Sequence, residues 1–243
     1  MKVEVLGVDF DSVTLDEAIS AAFAQLNSGS CGYIVTPNPE IVWECRKNEE
    51  LRAAVRGALL TLPDGVGIMY GAKILGRPIN QRIPGIDFAS KLFERLRATE
   101  YCVFLLGARP GVADRAAEKL RESYPGLLIA GAHDGYFDGD AEVVREINAS
   151  GAAVAIVCLG SPKQELWMRR NAGSLSAKLC IGLGGALDVF SGEVLRAPEG
   201  WRKHGFEWLY RLLRSPSRIK RMFRLPAFIL AVLWEKISKR ESA

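Results

Sequence analysis

The chain has 243 residues, of which 49% are hydrophobic and 25% charged, and its formal net charge is +4. This balance predicts one ordered globular core with room for a small appendage, and it excludes a disordered or low-complexity chain. Five cysteines without a C-x-x-C pair and two distant histidines predict no disulfide framework and no zinc site. Acidic residues near the N-terminus argue against a secretion signal, so we expect a cytoplasmic protein.

Short apolar runs alternate with helix-period segments along the first 190 or so residues. The predicted strands are residues 2–6, 32–35, 58–62, 101–106, 127–130, 153–159 and 179–183. The predicted helices are residues 15–26, 39–45, 49–55, 67–75, 85–96, 112–123, 141–149 and 162–172. This alternation predicts an α/β fold with a Rossmann-like, largely parallel sheet and flanking helices. Ligands of such sheets bind beyond the carboxyl ends of the strands, so the loops after the strands hold the candidate residues.

After residue 195 the strand pattern stops and the charge changes sign. Residues 196–243 hold 12 Lys and Arg against 4 Asp and Glu, whereas residues 1–195 hold 20 against 24. Two prolines divide this segment into predicted helices at residues 200–214, 216–224 and 226–239. We therefore predict a core of residues 1–195 and a small helical C-terminal appendage of residues 196–243. Its apolar run is shorter than the roughly 20 residues that span a bilayer.

The appendage combines basic and aromatic side chains, as segments that lie on an anionic bilayer do. Its arginines recur at nearly helical spacing: Arg211, Arg214, Arg218 and Arg221. Its candidate interfacial anchors are Trp201, Phe206, Trp208, Phe223, Phe228 and Trp234. Two alternatives stay open, a basic face that packs on the core and a surface that binds nucleic acid.

Polar residues follow the second and third predicted strands. Thr36 and Asn38 come after strand 32–35, and Asn38 is also suited to cap the next helix. Asp64 stands in a Pro-Asp-Gly turn, where a carboxylate held in a fixed position can act as a general base. Arg82 is either a solvated surface charge or a bidentate clamp for a phosphate.

Two glycine-containing loops follow later strands. Gly107 begins a turn that leads into a helix, and a helix N-terminus of this kind can receive a phosphate. After strand 153–159 come Lys163 and Gln164, and the spacing from Ser161 to Gln164 is also that of a helix capping box.

A third loop, Gly182-Leu183-Gly184-Gly185, follows the last predicted strand. Neither this loop nor the one at Gly107 matches G-x-G-x-x-G, and the chain has no Walker A sequence. The sequence therefore disfavours a Rossmann oxidoreductase, the alternative from another enzyme class.

Taken in chain order, these loops resemble the WecG/TagA/CpsF glycosyltransferase family, glycosyltransferase family 26. The matching pieces are Thr36-x-Asn38, Asp64-Gly65-x-Gly67, Arg82-x-x-Gly85-x-Asp87, Gly160-x-Pro162-Lys163-Gln164-Glu165, Gly182-x-Gly184-Gly185-x-x-Asp188, Gly192, Arg196-Ala197-Pro198, Glu207-Trp208-Leu209-Tyr210-Arg211 and Pro216-x-Arg218. They cover nearly the whole chain, and none of them departs from the family pattern.

The resemblance implies transfer of N-acetylmannosamine from its UDP conjugate to undecaprenyl-diphosphate-linked N-acetylglucosamine, in wall teichoic acid or related surface-glycan synthesis. It implies an inverting, metal-independent reaction without a cofactor, by a peripheral enzyme on the inner face of the cell membrane. The implied partners are the UDP-sugar donor, the polyprenyl-diphosphate-linked acceptor and anionic lipid, without nucleic acid. Glucose and N-acetylmannosaminuronic acid stay open as transferred sugars, and a homo-oligomer stays open as the assembly.

The resemblance and the chemistry of the loops together suggest residue roles. We expect Asp64 to be the general base, assisted by the other catalytic candidates, Thr36, Asn38, Arg82 and Gln164. The candidate substrate-binding residues are Gly107, Gly135, Tyr136, Lys163, Gly184, Gly185, Asp188, Arg211, Arg218 and Arg221. The tail arginines would hold the diphosphate of either the leaving UDP or the acceptor. We expect no metal ligands, because Asp138-x-Asp140 falls in a predicted surface turn, and arginines and helix N-termini can stabilise the departing diphosphate.

Overall fold

The computed structural model describes residues 1–203, 205–214 and 224–241. Its strands are β1 Lys2–Val5, β2 Val8–Asp11, β3 Gly32–Val35, β4 Leu60–Thr61, β5 Val103–Gly107, β6 Ile129–His133, β7 Val154–Cys158 and β8 Leu179–Gly182. Its α-helices are α1 Leu15–Leu26, α2 Pro39–Cys45, α3 Glu49–Arg56, α4 Val66–Ile74, α5 Gly85–Leu96, α6 Val112–Ser123, α7 Ala141–Ala149, α8 Lys163–Asn171, α9 Ala186–Phe190, α10 Glu199–Lys203, α11 Glu207–Arg214 and α12 Arg224–Glu241.

The central sheet is parallel throughout, with the strand order β4-β3-β8-β7-β5-β6. The predicted α/β fold with a Rossmann-like parallel sheet and flanking helices is confirmed. The chain runs from β3 outward to β4 and from β5 outward to β6, in opposite directions, and β7 and β8 fill the middle. In sheets of this kind, ligands bind beyond the carboxyl ends of the strands, where the winding reverses.

The first predicted strand does not belong to the central sheet. β1 pairs antiparallel with β2, through a tight turn in which Leu6 and Gly7 have φ values of 50° and 81°. Two consecutive positive φ values are typical of the hairpin turns that match the twist of paired strands. The predicted strand 2–6 is confirmed as a strand, at Lys2–Val5, and the two-residue turn after it closes an antiparallel hairpin outside the parallel sheet.

Both faces of the central sheet are covered, because successive residues of a strand point to opposite faces. On one face, Ile34 and Leu105 are buried with residues of α1, α5 and α6. On the other face, Val35 and Leu106 are buried with residues of the hairpin and of α2, α3, α4, α7 and α8. This two-sided burial fixes the strand ends from which the site is built.

The helix α12 takes part in the second of these two cores. Its residues Phe228 and Val232 are fully buried, and Phe228 packs against α4 where Gly71 leaves room for its ring. Arg224 forms an ion pair of 3.1 Å with Glu44 on α2. Phe228 is therefore wrong as an interfacial anchor, because the core occupies it. The boundary near residue 195 stays a prediction.

The described helices of the appendage follow the sequence prediction except that the first predicted helix is two helices. The predicted helix 200–214 is divided into α10 and α11 at Gly205, which has a φ of 77°. The predicted helix 216–224 lies outside the described residues except for its last position, whereas the predicted helix 226–239 falls within α12. In the described part of the chain, no helix is both long enough and apolar enough to cross a bilayer.

Candidate active site

Backbone hydrogen bonds join three loops at the carboxyl edge of the sheet. The Asp64 N–H donates to the Pro37 carbonyl (3.2 Å), and the Ile83 N–H donates to the Pro63 carbonyl (3.0 Å). The turn that carries Asp64 therefore lies between the loop of Asn38 and the loop of Arg82. These three predicted residues come from distant parts of the sequence, and the fold brings their loops together.

Asn38 also caps the helix α2, as its sequence context suggests. Its side-chain oxygen accepts a hydrogen bond from the Ile41 N–H at 3.0 Å. The capping bond occupies only the oxygen of the amide, and its nitrogen carries two further donor hydrogens. The capping interpretation and a substrate-binding role are therefore compatible.

Thr36 and Gln164 hold the loop that follows β8. The Thr36 hydroxyl donates to the Gly182 carbonyl at 3.0 Å, and the Gln164 Oε1 accepts from the Gly184 N–H at 2.9 Å. The two side chains are buried, with 8% and 2% of their surface exposed. In this structure, both therefore make structural contacts with the loop of Gly182 and Gly184.

The alternative prediction of a capping box at α8 is wrong. This helix begins at Lys163, and the Gln164 N–H, which the Ser161 hydroxyl would bond in a capping box, donates to the Gly160 carbonyl at 2.8 Å instead. The Gln164 side chain instead turns inward, where its Nε2 donates to the Glu165 Oε1 at 2.7 Å. A buried amide and a buried carboxyl thus follow one another at the start of the helix.

The carboxyl group of Glu165 is 1% exposed, and burial raises its pKa above the ordinary value of 4.5. A carboxyl whose pKa is raised by folding destabilises the protein as the pH rises through the window between its unfolded and folded values. We therefore expect Glu165→Gln to gain stability relative to the unmodified protein as the pH rises above the ordinary value of 4.5. Denaturant midpoints of both proteins across that range measure this, and a difference independent of pH would contradict it.

A cavity of about 740 Å³ lies beyond β5, β6, β7 and β8. Its lining includes the predicted residues Gly135, Tyr136, Lys163 and Asp188. The Lys163 ammonium is fixed in place, because it donates to the Gly135 carbonyl at 2.9 Å and lies 4.6 Å from the centre of the Phe137 ring. A large concave site with a fixed cation in its wall is suited to an anionic ligand.

Gly107 shapes one end of this cavity through its backbone. Its φ is 128°, and a Cβ there would lie 2.4 Å from the Cys158 carbonyl oxygen, so only glycine fits between β5 and β7. The next residue, Ala108, accepts a hydrogen bond from the Gly135 N–H at 2.9 Å. Gly107 therefore positions the cavity wall without lining it.

The remaining predicted residues have different positions. Gly184 and Gly185 lead into α9, on which Asp188 reaches the cavity, and Gly185 lies next to the Asp188 carboxylate. Arg211 is on α11, where only its backbone is described, and Arg218 and Arg221 lie outside the described residues.

The appendage approaches the turn of Asp64 from two sides. A Cβ on Gly205 would lie 3.2 Å from the side chain of Val66, and one on Gly67 would lie 3.1 Å from the side chain of Leu225. Val66 and Gly67 begin α4, immediately after Asp64 and Gly65. The described segments of the appendage therefore pack beside the candidate base.

Sequence reasoning missed several residues of the site. Arg109, Phe137 and Asp138 line the cavity, and no motif singles them out except their position after β5 and β6. It also missed the ion pair of 2.6 Å between Arg196 and Asp87. Both residues belong to motifs that match the family pattern, and their opposite charges could have suggested that they form an ion pair.

Comparison with known proteins fits these features. The model of the glycosyl transferase WecG/TagA/CpsF family matches residues 3–242. The chain belongs to this family. The resemblance inferred from the ordered loops is thus confirmed, and it extends through the appendage.

Named relatives also match most of the chain. An N-acetylglucosaminyldiphosphoundecaprenol N-acetyl-beta-D-mannosaminyltransferase of Bacillus spizizenii is 35% identical over 226 residues, which cover 93% of this chain and 87% of that protein. A protein of the same name from Staphylococcus aureus strain MRSA252 is 35% identical over 234 residues, covering 95% of this chain and 92% of that protein.

Proposed function

We propose that this chain transfers N-acetylmannosamine from UDP-N-acetylmannosamine to undecaprenyl-diphosphate-linked N-acetylglucosamine, in teichoic acid or related surface-glycan synthesis. The relatives named for this activity match more than nine-tenths of the chain. The structural observation that carries the proposal is the meeting of the Asn38, Asp64 and Arg82 loops at the sheet edge that also holds the Lys163 cavity. A carboxylate to accept a proton and a fixed cation, here Lys163, to hold a diphosphate are two parts that this reaction can use.

In the proposed reaction, the oxygen of the acceptor hydroxyl bonds to the anomeric carbon of the donor sugar, and Asp64 accepts the proton of that hydroxyl. The bond from that carbon to UDP breaks on the opposite side, so the configuration inverts. The position of Asp64 is fixed by the bond from its N–H to Pro37. Asn38 and Arg82, from the two neighbouring loops, are suited to orient the sugars and the diphosphate.

The leaving UDP develops negative charge as the sugar departs. We place it in the cavity whose charged lining residues are Arg109, Asp138, Lys163 and Asp188. Lys163 supplies a fixed positive charge there, and α6 begins at Val112, just after the Arg109 loop. Cationic side chains and a helix N-terminus can stabilise a diphosphate in this way.

The decisive experiment is turnover of a panel of UDP-sugars with a short-chain polyprenyl-diphosphate N-acetylglucosamine. We expect UDP-N-acetylmannosamine to be used, with UDP and the elongated lipid formed in equal amounts. Use of UDP-glucose or the mannosaminuronic acid conjugate instead would reassign the sugar within the same family. Absence of turnover with every donor would refute the transferase proposal.

We expect turnover to survive chelation with EDTA, because side-chain cations and helix N-termini are proposed to hold the diphosphate. Initial rates with and without EDTA measure this, and the protein is first dialysed against chelator. Complete loss of turnover that Mg²⁺ or Mn²⁺ restores would contradict metal independence.

We also propose that the appendage lies on the inner face of the cell membrane as a peripheral anchor. The side of α12 opposite the buried Phe228 is apolar and exposed, and its residues are spaced by three and four positions: Leu230, Leu233, Trp234 and Ile237. This outer stripe, together with the exposed Phe206 and Trp208 at the start of α11, gives the basic appendage the apolar contact that interfacial helices use.

The double substitution Leu230→Glu/Trp234→Glu should weaken binding to anionic vesicles at least about tenfold, since each buried side chain of this size contributes about 1.5–3 kcal/mol. Vesicle co-sedimentation measures the loss. The matched control is Leu59→Glu/Leu128→Glu. It puts the same charge at two exposed leucines outside the appendage, which directly precede β4 and β6 at the amino ends of these strands. Equal losses in both proteins would point to charge alone and contradict the role of the outer stripe.

A further inference from the structure

Glu165 has a position that neither its charge nor the proposed chemistry explains. Its carboxyl group is buried, and among the described residues its Oε2 has no hydrogen-bond partner. Burying a carboxylate with one oxygen unpaired is unfavourable by several kcal/mol in general. Its Oε1 accepts from the Gln164 Nε2 at 2.7 Å, the largest of the hydrogen bonds that oppose the rise of its pKa, ahead of those from its own backbone and from the Ser161 side chain.

This contact decides which way the Gln164 amide points. The Gly184 N–H can only donate, so the amide atom that faces it must be the oxygen Oε1. With the oxygen placed there, the nitrogen Nε2 faces Glu165 and donates to its Oε1, which is the contact that the ionised carboxylate needs. The two contacts agree, and together they fix the orientation of an amide whose two ends are otherwise nearly alike in shape.

The amide in turn holds the turn that leads to the cavity. Gly184 has a positive φ of 56°, and the next residue, Gly185, lies against the carboxylate of Asp188, which lines the cavity. Thr36 fixes the other end of this turn through the Gly182 carbonyl. The turn from Gly182 to Gly185 is thus held at two points, and one of them depends on Glu165.

We propose that Glu165 is a positioning residue: it orients the Gln164 amide, and the amide holds the turn that places Asp188 in the cavity wall. Gln164 then acts through the Gly184 N–H as a second positioning residue, in keeping with its burial. This inference rests on the proposed function for its effect on catalysis, but the positioning itself is independent of any activity.

The first test measures local stability without substrate. Hydrogen exchange of the peptide that contains Gly184 is compared among the unmodified protein, Glu165→Leu, Glu165→Gln and Gln164→Ala. We expect exchange at Gly184 to be at least about tenfold faster in Glu165→Leu and in Gln164→Ala, because its N–H loses a fixed acceptor. Glu165→Gln retains an acceptor oxygen for the Gln164 amide and should exchange more slowly than Glu165→Leu. Exchange in Glu165→Leu as slow as in the unmodified protein would refute the proposal.

The second test is a double-mutant cycle on kcat/KM for the UDP-sugar. We expect Glu165→Leu and Gln164→Ala each to lower it by about 10- to 100-fold, since small displacements in a site have effects of this size. If Glu165 acts through Gln164, the double variant is no worse than Gln164→Ala alone. Effects that multiply in the double variant would overturn the proposal.

A matched control separates positioning from a general loss of packing. Asn171 is a polar residue near the other end of α8, 9% exposed, and its side chain bonds to Asp140 and to the Trp167 carbonyl. Asn171→Leu should lower the melting temperature while exchange at Gly184 stays slow. Fast exchange at Gly184 in this control would show that any damage to α8 loosens the turn, and would overturn the specific role of Glu165.

If the unmodified protein turns over no UDP-sugar, the proposed function fails, and the exchange experiment still decides the positioning role.

Discussion

Asp64→Asn should lower kcat by about 10²–10⁴-fold, the usual effect of removing a general base. The substituted side chain has nearly the same shape but is neutral, so it cannot accept the proton. The backbone bond from residue 64 to Pro37 and the packing of Gly65 on Pro39 remain available. We therefore expect the melting temperature and the dissociation constant for UDP to stay near those of the unmodified protein.

Initial rates, calorimetric titration with UDP and thermal unfolding on one preparation measure these three quantities. The matched control is Asp9→Asn on the exposed edge of the hairpin, which makes the same chemical change away from the candidate site. If Asp64→Asn keeps more than half of the kcat, Asp64 is a turn residue and the base is another group.

The regular elements of this fold could be predicted closely, because each has a strong local signal. Helices α1 and α5 have the bounds that their periodicity predicts. The hairpin was harder, since β2 has only four residues, but its alternation of Val8 and Phe10 with aspartates is a readable strand signal. Strand β6 begins two residues later than predicted, at Ile129, because neighbouring β5 and not the apolar run decides which residues pair.

The site was predictable as a set of loops but not as a set of contacts. The rule that ligands bind beyond the carboxyl ends of parallel strands selects the turns of Asp64, Lys163 and Gly184 without any knowledge of the structure. The partners of each side chain depend on strand order, which the sequence does not display. Gln164 meets the Gly184 N–H only because β7 and β8 are neighbours, and the same sequence spacing at Ser161 suggested a helix cap.

The last helix shows why composition alone misplaces an anchor. Phe228 and Trp234 are both aromatic residues of α12, but Phe228 is fully buried against α4 whereas 72% of Trp234 is exposed. Which aromatic residue faces outward depends on how the helix is rotated against the core. The packing of α12 also means that removing residues 196–243 would uncover apolar surface, so single substitutions test the appendage more cleanly than truncation.

Arg211→Glu is the substitution that separates the two proposed roles of the appendage. If Arg211 holds a diphosphate, the change removes a charge-assisted bond of about 1.5–3 kcal/mol and adds repulsion, so kcat/KM should fall at least about tenfold. We expect this loss even with a water-soluble, short-chain acceptor and no vesicles. The position of the appendage supports this, because Gly205 and Leu225 pack on Val66 and Gly67 beside the candidate base.

A role in anchoring alone gives a different result, because lipid attraction matters only when the acceptor is embedded in a bilayer. In that case, Arg211→Glu would be fully active in solution and impaired only with anionic vesicles, each basic residue contributing about 1 kcal/mol near the surface. Lys236→Glu on α12 is the matched control, since it makes the same change of charge on the appendage. We expect the control to weaken vesicle binding while its rate with the soluble acceptor is kept. Full activity of Arg211→Glu with the soluble acceptor would refute the role of Arg211 in the site and leave the appendage as an anchor.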